Sequence, residues 1–214
     1  MIRALIFDLD GTISDTETLH AESESKLLAG YDIKISHDEI TQRFSGVRPT
    51  EYFTILFKEN NKHADIGKVM KEKWQLAIEF AKKGVKPTKG AVQLIRDLKA
   101  HNLKLAVASS SLKEFVDIVL EELGITDCFD IITYGADVKR GKPDPDIFQL
   151  AAKRLKIKPS ECIVIEDSLN GMTAAKRAGM KCIGLKENYN PNRTPADLIV
   201  KNLSELTYEK IISM

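Results

Sequence analysis

Arg3-Ala4-Leu5-Ile6-Phe7-Asp8-Leu9-Asp10-Gly11-Thr12 joins an apolar run to a turn that carries two acids. An apolar run of this length that stops abruptly at a turn reads as a buried strand. Two carboxylates, Asp8 and Asp10, follow at its carboxyl end, where open α/β sheets place their ligands. Two unit charges about 4 Å apart repel by roughly 4 kcal/mol at an effective dielectric near 20. A cation or a shared proton relieves that cost, so the pair reads first as a metal and phosphate site. Asp-Gly is also a common turn and Asp a common helix cap, and these readings compete with it. A calcium-binding EF-hand loop does not fit: its sixth position from Asp8 falls on Ile13 rather than Gly, and its twelfth on Leu19 rather than Glu.

Beyond this stretch the chain changes texture near Ser14 and again near Gly84. Between them nearly everything reads as helix. One segment runs from Thr16 to Gly30. Ser36-His37-Asp38-Glu39 is a capping box for a second, Pro49 opens a third, and Asp65 to Lys83 forms a fourth. Trp74 shares a face of the fourth with Val69, Lys73 and Ala77 and reads as packing.

After Gly84 short apolar runs alternate with amphipathic helices. Leu105-Ala106-Val107, Ile131-Ile132, Ile163-Val164-Ile165, Ile183-Gly184-Leu185 and Leu198-Ile199-Val200 look like strands buried on both faces of a parallel sheet. The expected fold is α/β, a doubly wound parallel sheet with an inserted all-helical domain. Residues 1–14 and 84–214 form the α/β core in this reading, and residues 15–83 the helical insertion. Hinges are expected at Ser14-Asp15 and at residues 84–87.

Composition narrows the function. With 29% charged residues and a net charge of +1, no strong field favours nucleic acid or an anionic membrane. Cys128, Cys162 and Cys182 form no Cys-x-x-Cys pair and read as reduced, mostly buried thiols in a cytoplasmic protein. No apolar run approaches the roughly 18 residues of a membrane span, and the N-terminus lacks a signal-peptide layout. Nothing in the pattern demands more than a monomer.

Other strand ends carry matching polar groups. Ser109 is the first hydroxyl after Ala106-Val107-Ala108 and is placed to donate to a phosphate oxygen. Ser111 with Glu114 reads as a capping box. Lys142 lies between Gly141 and Pro143 on a stiff segment, with Asp144 expected to cap a helix begun by Pro145. The segment is not a P-loop, since no Ser or Thr follows Lys142. Glu166-Asp167 directly follows Ile163-Val164-Ile165, and adjacent acids at the end of a buried strand need a partner. A structural ion pair is the competing account of them.

Together these residues resemble the haloacid dehalogenase superfamily. Asp8-Leu9-Asp10-Gly11-Thr12 is similar to its first motif, Ser109 to its second, Lys142 to its third and Glu166-Asp167 to its fourth. The helical insertion after the first motif is similar to that of the branch containing β-phosphoglucomutase and small sugar-phosphate phosphatases, where it acts as a closing cap. The resemblance implies a nucleophilic Asp8, with Asp10 as acid and then base. It implies Mg²⁺ held by Asp8, Asp10 (through its carbonyl) and Asp167, with Glu166 assisting or orienting Lys142. Ser109 and Lys142 would hold the phosphoryl oxygens, and His20 and Arg48 of the cap would read the leaving group.

Asp10 separates the chain from dehalogenases and phosphonatases, which lack it. The mutases carry a cap arginine two positions after Gly-Val. Here Arg48 follows Gly46-Val47 at once and Pro49 takes the mutase position. The expected function is therefore Mg²⁺-dependent hydrolysis of a small phosphate monoester, a sugar phosphate, through an aspartyl-phosphate. The alternative is a β-phosphoglucomutase-like isomerase. A non-enzymatic phospho-receiver is disfavoured, because its acid pair comes early and it has no cap. A dinucleotide enzyme is disfavoured because no Gly-x-Gly-x-x-Gly follows the first strand.

Overall fold

A computed structural model describes residues 1–44, 49–185 and 194–214 of the chain. Two compact units result: Met1–Asp15 with Val85–Met214, and Thr16–Gly84.

The first unit is built on a six-stranded sheet. Its strands are β1 (Ala4–Phe7), β2 (Lys104–Ser109), β3 (Ile131–Tyr134), β4 (Cys162–Glu166), β5 (Lys181–Leu185) and β6 (Leu198–Val200). Every pairing is parallel, in the order β3-β2-β1-β4-β5-β6. The first three strands step outward from β1 in one direction, and β4 returns to its other side. The order therefore reverses between β1 and β4, and a crevice at the carboxyl ends of the strands opens at such a switch point.

β1 is central and wholly buried, which its unbroken apolar run requires. Phe7 stands in register with Val107 on one side and Ile165 on the other. The residues that leave β1, β2 and β4 thus emerge side by side. The edge strands differ from the expectation of burial on both faces. β3 and β6 are largely half-buried, because each lacks a neighbour on one side.

Helices α5 (Ala91–Ala100), α6 (Lys113–Glu122), α7 (Asp146–Leu155), α8 (Leu169–Arg177) and α9 (Tyr208–Ile212) complete this unit. One shared core beneath the sheet joins Ile6, Ala106 and Val164 to Phe148, Ala151, Met172 and Ala175. Full burial of a side chain such as Phe148 contributes about 1.5–3 kcal/mol. Two helix starts differ from the sequence expectation. Pro145 itself is the N-cap of α7, with no side-chain cap, while Asp144 lies 3.5 Å from Arg140. Leu112 caps α6, again without a side-chain bond, so Ser111 and Glu114 form no capping box there.

Asp130, just before β3, staples the start of β2. Its carboxylate accepts from the Leu105 N–H at 3.0 Å, from Lys99 at 3.0 Å and from Lys104 at 2.8 Å. Burial pushes this carboxyl upward, but Lys104, the Leu105 amide and Lys99 outweigh it and hold it at about 2. An ordinary Asp titrates near 3.9. The stabilisation is therefore complete above about pH 4 and drains away as pH falls toward 2. Asp130→Asn should cost about 1 kcal/mol at pH 7, discounted for the partly exposed lysines. Urea titrations of both proteins should show the gap closing between pH 4 and 2; a gap constant with pH would refute this account.

The second unit contains α1 (Glu17–Ala29), α2 (His37–Phe44), α3 (Pro49–Glu59) and α4 (Ile66–Ala81). Ser36 accepts from the Glu39 N–H at 3.2 Å, which is one half of the expected capping box. Asp65 caps α4 through the Gly67 and Lys68 amides. Leu28, Phe53, Leu56 and Val69 form the centre of this unit's own core. No helix among the described residues is long and apolar enough to cross a membrane.

Candidate active site

The carboxyl end of β1 delivers Asp8, whose N–H donates to the Ile165 carbonyl at 3.0 Å, so the backbone is still in the sheet there. The chain then turns. Ile13 and Ser14 donate their amides to the Leu9 carbonyl, and Gly11 adopts φ +76°. That conformation favours glycine. A Cβ at Gly11 would also overlap the Asp167 carboxyl, so two demands fall on one residue.

Lys142 binds this end of the sheet together. Its Nζ lies 2.5 Å from Asp8 Oδ1 and 2.7 Å from Glu166 Oε1. Lys142 and Asp8 side chains are 9% and 8% exposed and Glu166 only 1%, so these are buried charge pairs that solvent does not screen. The Lys142 ammonium also sits 4.9 Å from the centre of the Phe148 ring. Burial would lower the ammonium, but Asp8 and Glu166 outweigh it and hold it above the ordinary lysine range. Burial pushes the Asp8 carboxyl well above the usual carboxylate range; Lys142 opposes this, and Glu166, Asp167 and Asp10 reinforce it. The site thus has more acid than its lysine neutralises.

The adjacent acids divide their work. Glu166 Oε2 accepts from the Ser168 N–H at 2.7 Å and from its hydroxyl at 2.8 Å, while Oε1 meets Lys142. Ser168 Oγ in turn accepts from the Gly171 N–H and caps α8. A Cβ at Gly171 would overlap the Glu166 carboxyl, which explains a glycine inside a helix. Asp167 lies against Gly11. Asp8, Glu166 and Asp167 each offer a carboxylate oxygen within 4.8 Å of the others. This is an all-oxygen, net acidic donor set of the kind a hard divalent cation takes.

At the end of β2, Ser109 is fully buried. Its hydroxyl lies 3.5 Å from Asp10 Oδ2 and accepts from the Ser111 N–H at 3.0 Å. Ser111 Oγ donates to Asp10 Oδ2 at 2.6 Å. The structure therefore gathers Asp8, Asp10, Ser109, Lys142, Glu166 and Asp167, which the sequence singled out. It adds Ser111, which the sequence assigned to a helix cap, and Ser168, Gly11 and Gly171, to which the sequence gave no separate role in the site.

His20 belongs to the helical unit. Its Nδ1 lies 3.1 Å from Lys73 Nζ, and its ring stands edge-on to Trp74. Lys73 is 3% exposed, 4.1 Å from the centre of the Trp74 ring and 3.9 Å from Glu24. Arg48, with Ser45, Gly46 and Val47, lies outside the described residues.

Comparison with known proteins places this geometry. A family profile described as haloacid dehalogenase-like hydrolase matches residues 5–185. The phosphorylated carbohydrates phosphatase of Thermotoga maritima is 33% identical over 190 residues, covering 85% of this chain and 84% of that protein. The β-phosphoglucomutase of Bacillus subtilis is 32% identical over 217 residues, covering 97% and 93%. The crystal structure of β-phosphoglucomutase from Clostridium difficile superposes with a TM-score of 0.85 at 31% identity, covering all of this chain and 96% of the other.

Proposed function

Because this chain belongs to the haloacid dehalogenase-like hydrolases, we propose that it hydrolyses a small phosphate monoester, a sugar phosphate, through an aspartyl-phosphate on Asp8. Phosphatase activity follows from the family and from relatives of that name. The sugar-phosphate substrate is supported by the names of the carbohydrate phosphatase and the mutases. The observation that carries the reading is Lys142 bridging Asp8 and Glu166 beside Asp167, at the switch point of the sheet.

Phosphoryl transfer asks for positioning and charge neutralisation. An Asp8 oxygen attacks phosphorus, and the bond from phosphorus to the ester oxygen breaks. Asp10 gives its proton to the departing alkoxide. Asp10 then takes a proton from water, whose oxygen attacks the phosphorus; inorganic phosphate leaves and the Asp8 carboxylate is restored. Lys142 and Ser109 hold the phosphoryl oxygens throughout. Asp8, Asp10 (through its carbonyl) and Asp167, with Glu166 assisting, are the residues that would hold Mg²⁺, which when bound neutralises phosphoryl charge. His20 and Arg48 are proposed to read the leaving group on the strength of the resemblance. The protein is taken to act as a monomer in the cytoplasm.

The test is release of free phosphate from a panel of phosphorylated metabolites, with Mg²⁺ and with EDTA. Sugar phosphates should turn over, EDTA should lower the rate at least about 100-fold, and Mg²⁺ should restore it. No release from any ester, with conversion of β-glucose 1-phosphate to glucose 6-phosphate, would replace this reading by the mutase one, in which a sugar hydroxyl attacks instead of water.

A further inference from the structure

Ser111 stands where a serine would cap α6, yet its hydroxyl does something else. The helix begins at Lys113 behind Leu112, whose backbone is extended (φ −63°, ψ 142°), and no side chain caps it. A serine cap contributes about 0.5–2 kcal/mol, so the helix forgoes a contribution that lay within one residue. The Ser111 hydroxyl donates instead to Asp10 Oδ2 at 2.6 Å, across 101 residues of sequence.

The loop that presents Ser111 is fixed at several points. The Ser111 N–H donates to Ser109 Oγ at 3.0 Å, and Ser111 is only 7% exposed. Gly135 packs so closely behind the loop that a Cβ there would come 2.6 Å from the Ser110 carbonyl oxygen. Asp10 is held from the other side through its backbone. The next amide, Gly11 N–H, donates to the Ser14 carbonyl at 2.8 Å, and Ser14 Oγ donates to the Leu9 carbonyl at 3.3 Å. A carboxyl group on a fixed backbone still has its side-chain rotations, and the Ser111 bond selects among them.

We propose that Ser111 is a positioning residue for Asp10, holding the carboxyl group that exchanges a proton with the leaving oxygen at the angle the transfer needs. The proposal rests on Asp10 acting as acid and base, as set out above. It follows from the stringency of proton and phosphoryl transfer, in which a 1 Å misplacement costs about 100-fold. Ser109, longer at 3.5 Å to the same oxygen and engaged by the Ser111 amide, is the weaker tether.

A leaving group that departs easily without a proton gains little from a well-placed acid, whereas an alkoxide depends on it. The experiment therefore compares kcat/KM, which covers the steps up to release of the alcohol, for a hexose 6-phosphate and for p-nitrophenyl phosphate. Ser111→Ala should lower kcat/KM for the sugar ester about 30-fold or more, with the loss in kcat, and should lower it at least about 10-fold less for the aryl ester. In an Asp10→Asn background, adding Ser111→Ala should change either value less than about 3-fold, because the two residues act as one unit.

Equal losses on both esters, expressed in KM, would overturn the proposal and make Ser111 a phosphate ligand. Additive losses in the double variant would overturn it as well. Those outcomes leave the phosphatase reading standing. Absence of phosphate release from either ester by the wild-type protein would overturn both.

Discussion

Replacing Asp8 with asparagine is expected to lower phosphate release by at least about 10⁴-fold while leaving the fold in place. Asparagine keeps the shape of the side chain, but its amide oxygen does not form a stable acyl phosphate, so the two-step route has no first step. Two opposing effects keep stability near its starting value. The Asp8 carboxyl is raised well above its usual range, chiefly by burial. A carboxyl raised in the folded state lends stability below its ordinary pKa and withdraws it as pH climbs through the folded value. At neutral pH its removal therefore relieves the metal-free protein. Against that, Lys142 loses one of two carboxylate partners, keeping Glu166 at 2.7 Å. The melting temperature should move by only a few degrees, and circular dichroism should be unchanged. Intact-protein mass spectrometry after mixing with substrate should show no phosphorylated protein. A variant retaining more than about 1% of wild-type turnover would remove Asp8 from the role of nucleophile, whatever the stability data say.

Much of this site was legible because its residues sit where apolar runs stop. Phe7 to Asp8, Ala108 to Ser109 and Ile165 to Glu166 are abrupt changes from hydrocarbon to polar chemistry, and a parallel sheet sets such ends side by side. The sheet order was harder to see, since the same runs suit several orders, and the half-buried edges β3 and β6 look in sequence like central strands. Ser111 escaped because a local rule, the capping box, explained it too readily. One extended residue at Leu112 moves the helix start and frees the hydroxyl for a partner 101 residues away. Asp144 departs from the sequence expectation for a similar reason: Pro145 occupies the N-cap position of α7, no side chain caps it, and Asp144 pairs with Arg140 instead. The division of labour between Glu166 and Asp167 is tertiary. It depends on Ser168 holding one and on the absence of a side chain at Gly11 beside the other.

Lys142→Met gives the largest expected change in stability. Methionine keeps an apolar stem of similar length but removes the charge that sits 4.9 Å from the Phe148 ring centre and between Asp8 and Glu166. Breaking a buried pair while leaving its partner charged costs about 3–5 kcal/mol. For a chain of this size each kcal/mol is worth roughly 2–4 °C, so the metal-free variant should melt on the order of 10 °C lower. The Lys142 ammonium is held above the ordinary lysine range because the two carboxylates outweigh its burial. Its contribution is therefore fully present below the ordinary lysine pKa and fades only as pH rises through the folded value, so pH 7 shows the whole deficit. Millimolar Mg²⁺ should recover part of it, and more than it adds to the wild type. A cation bound only to the folded state stabilises that state, and the variant site has one positive charge fewer to repel it. Turnover should stay at least about 100-fold down even with Mg²⁺ present, since the fixed donor proposed for the phosphoryl oxygens is gone. Calorimetry with EDTA and with Mg²⁺ separates the two contributions. A melting temperature within about 3 °C of wild type and indifferent to Mg²⁺ would mean that Asp8, Glu166 and Asp167 do not share one electrostatic site, and the case for a cation among them would fail with it.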